Sequence, residues 1–437
     1  MATFWKGGVL MELSRRQMIR AGLLGVAGLT AGGTAACGSA GGGSGSGSAK
    51  SLSLWYWSGG LSPNVVAAAA KQFKPQATLT ASQIGGDFKT KLLTTLNSRH
   101  FVPDITGIKG EDMPSMLPHA DLFIDLNTLG AKKYAAEYLT WKWDSGMTAG
   151  GKLIGFPIDI GPTGLFYRED IFAKVGLPTD PVKVSAAVKT WDDYFALGTE
   201  IHKALPKTFL VNNIGSVFSL ATAQITSSFV DKNNNFTGDS DAIRAAWDIA
   251  IKPAKLGIDA KINDNSWNSA IGNGTLATET GAAWHAQDIE GAAPQDKGLW
   301  RVAANPGGPG NIGGSFLAIP TECADPQLAF QIMTWILSPA NAARGFTDEA
   351  LFPSSPATYT MPALTSGDPY FGGQKTIDIF SASAKGNPFQ YQAPANAAVS
   401  APYYDQLTDV ENGKNPDAAW AAAVSQAKQI FQQQQAT

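Results

Sequence analysis

Trp57, Glu111, Asp112, Asp159 and Trp284 are the residues whose types and placement best suit chemistry on a small ligand. An indole stacks its face on a flat apolar surface, while carboxylates accept hydrogen bonds from hydroxyl groups. Such a set fits a hydroxyl-rich molecule held in a cleft. The same carboxylates would also serve a hydrolase, which cleaves a glycosidic bond with an acid and a base or nucleophile. Several converging acids would instead suit a polyamine. Against hydrolysis, no carboxylate pair stands in a recognisable catalytic motif, and Gly-x-Ser-x-Gly and His-Glu-x-x-His are both absent. His100, His119, His202 and His285 are scattered without metal-ligand spacing. Neither a metal nor a cofactor is implied.

Each candidate has a plainer reading. Of the twelve tryptophans, Trp191, Trp247, Trp335 and Trp420 fall on inner faces of helices, and Trp57 and Trp284 could be core as well. Glu111 and Asp112 could be a solvated loop pair. Gly313 and Gly314 would let a ligand approach the main chain closely, or would simply make a turn at the start of a strand.

The elements that must position these residues begin with Ser51–Trp57, a strand with Leu52, Leu54 and Tyr56 on one face and Trp55 and Trp57 on the other. Ser62-Pro63 starts a helix, residues 78–84 form a second strand, and Asp87 caps a helix carrying Phe88, Leu92, Leu93 and Leu96. Residues 104–108 complete a βαβαβ pattern, which predicts a parallel sheet with right-handed crossovers. Ligands of such sheets lie beyond the carboxyl ends of the strands, here Trp57–Gly60, Gly85–Asp87 and Lys109–Asp112.

Asp159 lies in the stretch around which the chain is organised, Gly151 to Asp170. Two β-type runs, 152–156 and 163–167, are separated by Pro157, Asp159, Gly161 and Pro162. Either the first run finishes one domain's sheet and the second opens another's, with Asp159 facing the cleft, or the two form a hairpin within one sheet. Downstream, Thr190 and Asp193 are spaced as a capping box, and further helices are expected from Asp239–Asp241 and over 265–276. A strand over 281–284 brings Trp284 to its end, with Asp288 just beyond. Asp325-Pro326 and Ser338-Pro339 each start a helix, and a last helix runs from about Asp417 and fades among the glutamines. Residues 353–402 show no clear pattern, and there is no internal repeat.

The first thirty-six residues form an address. Ser14-Arg15-Arg16 precedes a Gly-rich apolar run, residues 21–36, too short and weakly apolar to stop in a bilayer. Thr34-Ala35-Ala36-Cys37 then resembles a lipoprotein cleavage box, so the segment looks like a twin-arginine export signal (1–36) followed by a lipidated Cys37 and a Gly/Ser tether (37–49). A buried N-terminal helix is the alternative, and the glycines disfavour it. With Cys37 lipidated, Cys323 has no partner for an internal disulfide. Cleavage removes Lys6, Arg15, Arg16, Arg20 and Glu12, which takes the net charge from −3 to about −6. With no basic run remaining, nucleic acid is excluded as a partner.

Several motifs occur together in one order: Leu54-Trp55, Pro103-Asp-Ile105, Gly155-Phe-Pro-Ile-Asp159, Leu165-Phe-Tyr-Arg-Glu-Asp-Ile-Phe172, Thr190-Trp-Asp-Asp193, Gly274-Thr-Leu-Ala277, Gly281-Ala-Ala-Trp284 and Gly313-Gly-Ser-Phe-Leu-Ala-Ile-Pro320. In this order the chain resembles the extracytoplasmic solute-binding proteins of sugar-uptake ABC transporters, in the group related to maltose-binding protein. The resemblance implies a two-lobed α/β fold of the type II periplasmic-binding-protein kind, each lobe a mostly parallel sheet flanked by helices, with the ligand cleft between lobes. Lobe one would comprise 50–158 plus 302–356, and lobe two 159–301 plus 357–437. It further implies a sugar ligand, ABC permease subunits as partners, membrane attachment through lipid only, and a monomer outside the cell membrane. Trp57, Glu111, Asp112, Asp159, Trp284, Asp288, Gly313, Gly314 and Tyr391 would line the site, Tyr391 lying where some relatives place a sugar-stacking ring. Arg99-His-Phe-Val102 replaces the family's usual Gly-Asp before Pro103.

Overall fold

The structure is a computed structural model that describes residues 50–262 and 264–435. The signal, Cys37 and the tether lie outside the described residues. Strand β1 (Lys50–Tyr56) buries Leu52, Leu54 and Tyr56, as its alternation requires. It pairs in parallel with β2 (Ala77–Gln83) and β3 (Ile105–Lys109). The helices between them start where their caps predict. Ser62 accepts from the Val65 amide ahead of the Pro63–Gln72 helix, and Asp87 accepts from the Thr90 amide ahead of the Phe88–Ser98 helix. Each cap satisfies an amide that the first helical turn leaves without a partner.

Strand β4 (Phe156–Arg168) is a single ribbon of thirteen buried residues, so the two runs do not form a hairpin. Its first half pairs with β7 (Asn311–Ala318) and β8 (Phe352–Pro353), and its second half with β5 (Thr278–Ala282) and β6 (Trp300–Ala303). The separation into two runs is corrected, and its cause is chemical. Pro157 and Pro162 have no amide hydrogen to donate, which reads as a break, yet both stand where the β4–β7 register shifts. A bulge frees the ladder of a donor at such a place. Beside Pro162, the Gly161 amide donates to the Asn311 side-chain oxygen at 2.8 Å.

The strand order is β2-β1-β3-β7-β4-β5, with β6 and β8 also on β4. Parallel pairing is confined to β1–β3 among the named strands, and every pair involving β4 or β7 is antiparallel. The sheet is therefore mixed, because β7 returns from far along the chain to insert between β3 and β4. Apolar side chains from β1, β3 and the start of β4 share one core with Leu317–Leu337. Another core joins Leu165–Ala303 with Ala393–Ala427.

The Thr190–Asp193 capping box forms, and Pro326–Ile336 and Pro339–Glu349 are helices as predicted. The strand expected at 281–284 lies earlier, at Thr278–Ala282, where the Thr278 hydroxyl is held by the Tyr194 hydroxyl and the Leu210 carbonyl. The helix expected over 265–276 spans Asp264–Gly272. The last helix, Pro416–Gln435, does not fade among its glutamines, which are good helix formers. Among the described residues, no helix is long and apolar enough to cross a membrane.

Candidate functional site

Trp57 follows the carboxyl end of β1 and is half-buried. Its ring meets Phe88 edge-on at 5.3 Å, and the Lys109 ammonium lies 5.5 Å from its centroid. A Cβ at Gly107 or Gly60 would come within 2.6 or 2.7 Å of the indole, so both glycines make the slot it occupies.

Beyond β3, the Gly110 amide donates to the Gly314 carbonyl at 2.6 Å and pins this loop to β7. Glu111, next along, is solvent-exposed, yet its carboxyl is raised above the usual range. Desolvation by the surrounding protein is the main cause; Asp112 and Asp159 add to it, and its own amide and Lys109 oppose it. Asp112 pairs with Lys89 at 3.4 Å; burial nevertheless raises its carboxyl against the pull of Lys89 and Lys109.

Asp159 is buried on β4, where it accepts the Ser315 hydroxyl from the facing position on β7. Burial raises its carboxyl, opposed first by Lys142 and then by the Ser315 bonds. Lys142 comes from the short Thr140–Ser145 helix and is also buried, its ammonium 3.5 Å from the centroid of the Phe316 ring. Burial pulls the ammonium down to about 7, resisted by Asp159 and Glu111. The absence of a Cβ at Gly314 (φ +97°) lets β7 close on β4. A Cβ there would stand 2.7 Å from the Asp159 carbonyl oxygen and 3.1 Å from the Lys142 ammonium.

Trp284 stands at the N-terminus of the His285–Ala292 helix, its indole nitrogen 3.3 Å from the Ile312 carbonyl and facing Gly313. Behind it, His285 is buried, 3.0 Å from the Asp288 carboxylate and 3.7 Å from that of Glu279, which accepts from Trp267. Burial disfavours the imidazolium, but the bonds to Asp288 and Glu279 outweigh it and lift His285 to about 9.

Trp57, Glu111 and Asp112 thus follow the carboxyl ends of β1 and β3, and β7 links them to Asp159, Gly313, Gly314 and Trp284 through the Gly110–Gly314, Asp159–Ser315 and Trp284–Ile312 contacts. Gly314 serves chain packing, while Gly313 (φ +82°) is exposed. The Asp288 carboxylate is engaged with His285. Tyr391 is 39% exposed in a loop fixed by Gln390, which donates to the Thr222 and Ser227 carbonyls. Exposed Phe389 neighbours it. Sequence reasoning missed Lys142, Ser315 and His285. Trp141-Lys142-Trp143 carried a signal, a charge flanked by indoles, but its six-residue helix is too short to show a periodic face.

The model of the bacterial extracellular solute-binding protein family matches residues 58–371, most of the chain. The chain belongs to that family. Among curated members, a lactose-binding protein of Rhizobium radiobacter is 22% identical over 355 residues, covering 76% of this chain and 81% of its own. An arabinooligosaccharide-binding protein of Bacillus subtilis (strain 168) is 28% identical over 162 residues, 36% of this chain and only 35% of its own length. A crystal structure of an extracellular solute-binding protein family 1 member is 26% identical with a TM-score of 0.81, covering 87% of this chain and 100% of that one. The solute-binding protein described here therefore has the two-lobed α/β fold, and its named relatives are binding proteins rather than enzymes.

Proposed function

We propose that this solute-binding protein captures a sugar, a di- or oligosaccharide, by closure of its two lobes and delivers it to an ABC permease. The reading is carried by Trp57, Glu111 and Asp112 beyond the ends of β1 and β3, with the Gly110 amide bonded to Gly314 of β7 and Trp284 facing Gly313 on the same strand. Indoles stack on the apolar faces of sugar rings, and carboxylates and amides take up the hydroxyls. The sugar ligands named for the lactose- and arabinooligosaccharide-binding relatives support the same class.

In this reading lobe one is 50–158 plus 302–356 and lobe two is 159–301 plus 357–437, with Trp57 and Glu111 on the first and Trp284 on the second. The core around β1 and the core around Leu165 support two lobes, while a third core joins Ile160, Phe166 and Trp267 to Val302, Ala343 and Phe352 across these bounds. A ligand that touches both lobes favours the closed state, and the permease recognises that state. Export by the twin-arginine route and lipidation at Cys37 would hold the monomer outside the cell membrane.

The test is calorimetric titration of the purified protein with a panel of mono-, di- and oligosaccharides, with product analysis of the same mixtures. Saturable heat with intact sugar is the expected result. Cleaved sugar would make the protein a hydrolase, and silence across the panel would remove sugars as its solute.

A further inference from the structure

We infer that Lys142 is a ligand-reading group of the cleft floor, donating its ammonium hydrogens to an oxygen of the bound sugar. The inference deepens the sugar reading and rests on it. Lys142 is 2% exposed, and its ammonium, 3.5 Å from the Phe316 ring centroid, donates no hydrogen bond to a described residue and closes no ion pair with one. Its neighbours are the Phe316 ring and the Gly314 main chain on β7. A lysine ammonium carries three donors, and this one is not among the fully enclosed polar atoms that lack a partner, so it keeps a path to solvent along which an acceptor can reach it. A purely structural charge at this place would be expected to close an ion pair with Asp159. Asp159 is instead bonded to Ser315 and acts on Lys142 only through space.

The position points the same way. Gly314, beside the ammonium, is bonded through its carbonyl to the Gly110 amide, and Glu111 follows Gly110 on the cleft wall. The charged groups acting on Lys142 are Asp159 from β4 and Glu111 from the loop after β3, with Asp112 and Lys109 acting on Glu111 in turn. A sugar seated between Trp57 and Trp284 would meet an acceptor at Glu111 and a donor at Lys142. One hydroxyl could thus be read as acceptor and its neighbour as donor, which fixes the sugar's orientation as well as its presence.

The role requires the charged form, and burial brings the ammonium's titration close to neutrality. Binding should therefore be tighter at pH 6 than at pH 8.5 and should take up a proton in between.

The experiment is titration of the wild-type protein, Lys142→Met and Lys142→Arg with the sugar panel at pH 6.0 and 8.5, with melting curves of all three. Expected are wild-type affinity at least tenfold weaker at pH 8.5, a tenfold or greater loss in Lys142→Met with the pH dependence gone, and pH-independent binding in Lys142→Arg. Unchanged affinity in Lys142→Met, or pH dependence that survives in it, overturns the inference. If the wild-type protein binds no sugar, the sugar reading fails by itself and the melting curves decide for Lys142. A methionine that melts at or above the wild-type temperature supports a charge held against stability for a ligand. One that melts well below it makes Lys142 the structural counter-ion of Asp159 and overturns the inference.

Discussion

The Ser315 hydroxyl donates to the Asp159 carboxylate across β7 and β4, joining two residues 156 positions apart in the first half of the β4 ribbon. Ser315→Ala leaves a buried carboxylate short of a partner. Destabilisation of about 1–3 kcal/mol is expected, read as a lower urea midpoint at an unchanged slope.

Trp284→Ala removes a half-buried ring at the start of a helix and leaves the strands paired. The variant should fold normally and lose about 2 kcal/mol of sugar binding, close to thirtyfold in Kd, by calorimetry. Unchanged affinity would place the site elsewhere.

Gly314→Ala meets two obstacles, a left-handed backbone and a Cβ 2.7 Å from the Asp159 carbonyl oxygen. A loss of about 2–4 kcal/mol in chemical denaturation is expected. Gly313→Ala has the strained backbone but an open surrounding, with its nearest neighbour the Trp284 nitrogen at 3.5 Å. It should cost about 1 kcal/mol.

His285 titrates at about 9 in the folded chain, above its value of about 6.5 when unfolded. The folded state then binds the proton more tightly. Its stabilisation is complete below pH 6.5 and is lost as pH rises through 9, at most roughly 3 kcal/mol. Lys142 acts in the opposite direction: its folded value of about 7 lies below the unfolded one, so its contribution rises with pH above 7. The difference in stability between wild-type protein and His285→Gln, measured from pH 6 to pH 10, should shrink with pH. A flat difference would mean that His285 is neutral in the fold.

Much of the fold was legible because its signals are local. Ser62, Asp87 and Thr190 name their helix starts through side chains bonded within three residues, and the alternation of Leu52, Leu54 and Tyr56 names a buried strand face. What was not legible depends on partners far along the chain. Pro157 and Pro162 are harmless only because β7 supplies a register shift opposite them. β7 itself turns an expected parallel sheet into a mixed one. The candidate site divides likewise. Trp57, Glu111 and Trp284 follow from strand ends and family order, whereas the Lys142 position near Asp159 and Glu111 exists only once the Thr140–Ser145 helix, β4 and β7 have assembled.

The insertion of β7 between β3 and β4 has a consequence for biosynthesis. While residues 50–168 are emerging from the ribosome, the β3 edge and the first half of β4 have no partner, and they acquire one only when residues 311–318 follow. This segment is thus translated with open strand edges and closes late, through contacts of long sequence separation that form slowly. A nascent chain of this kind has reason to be shielded by chaperones until translation is nearly finished.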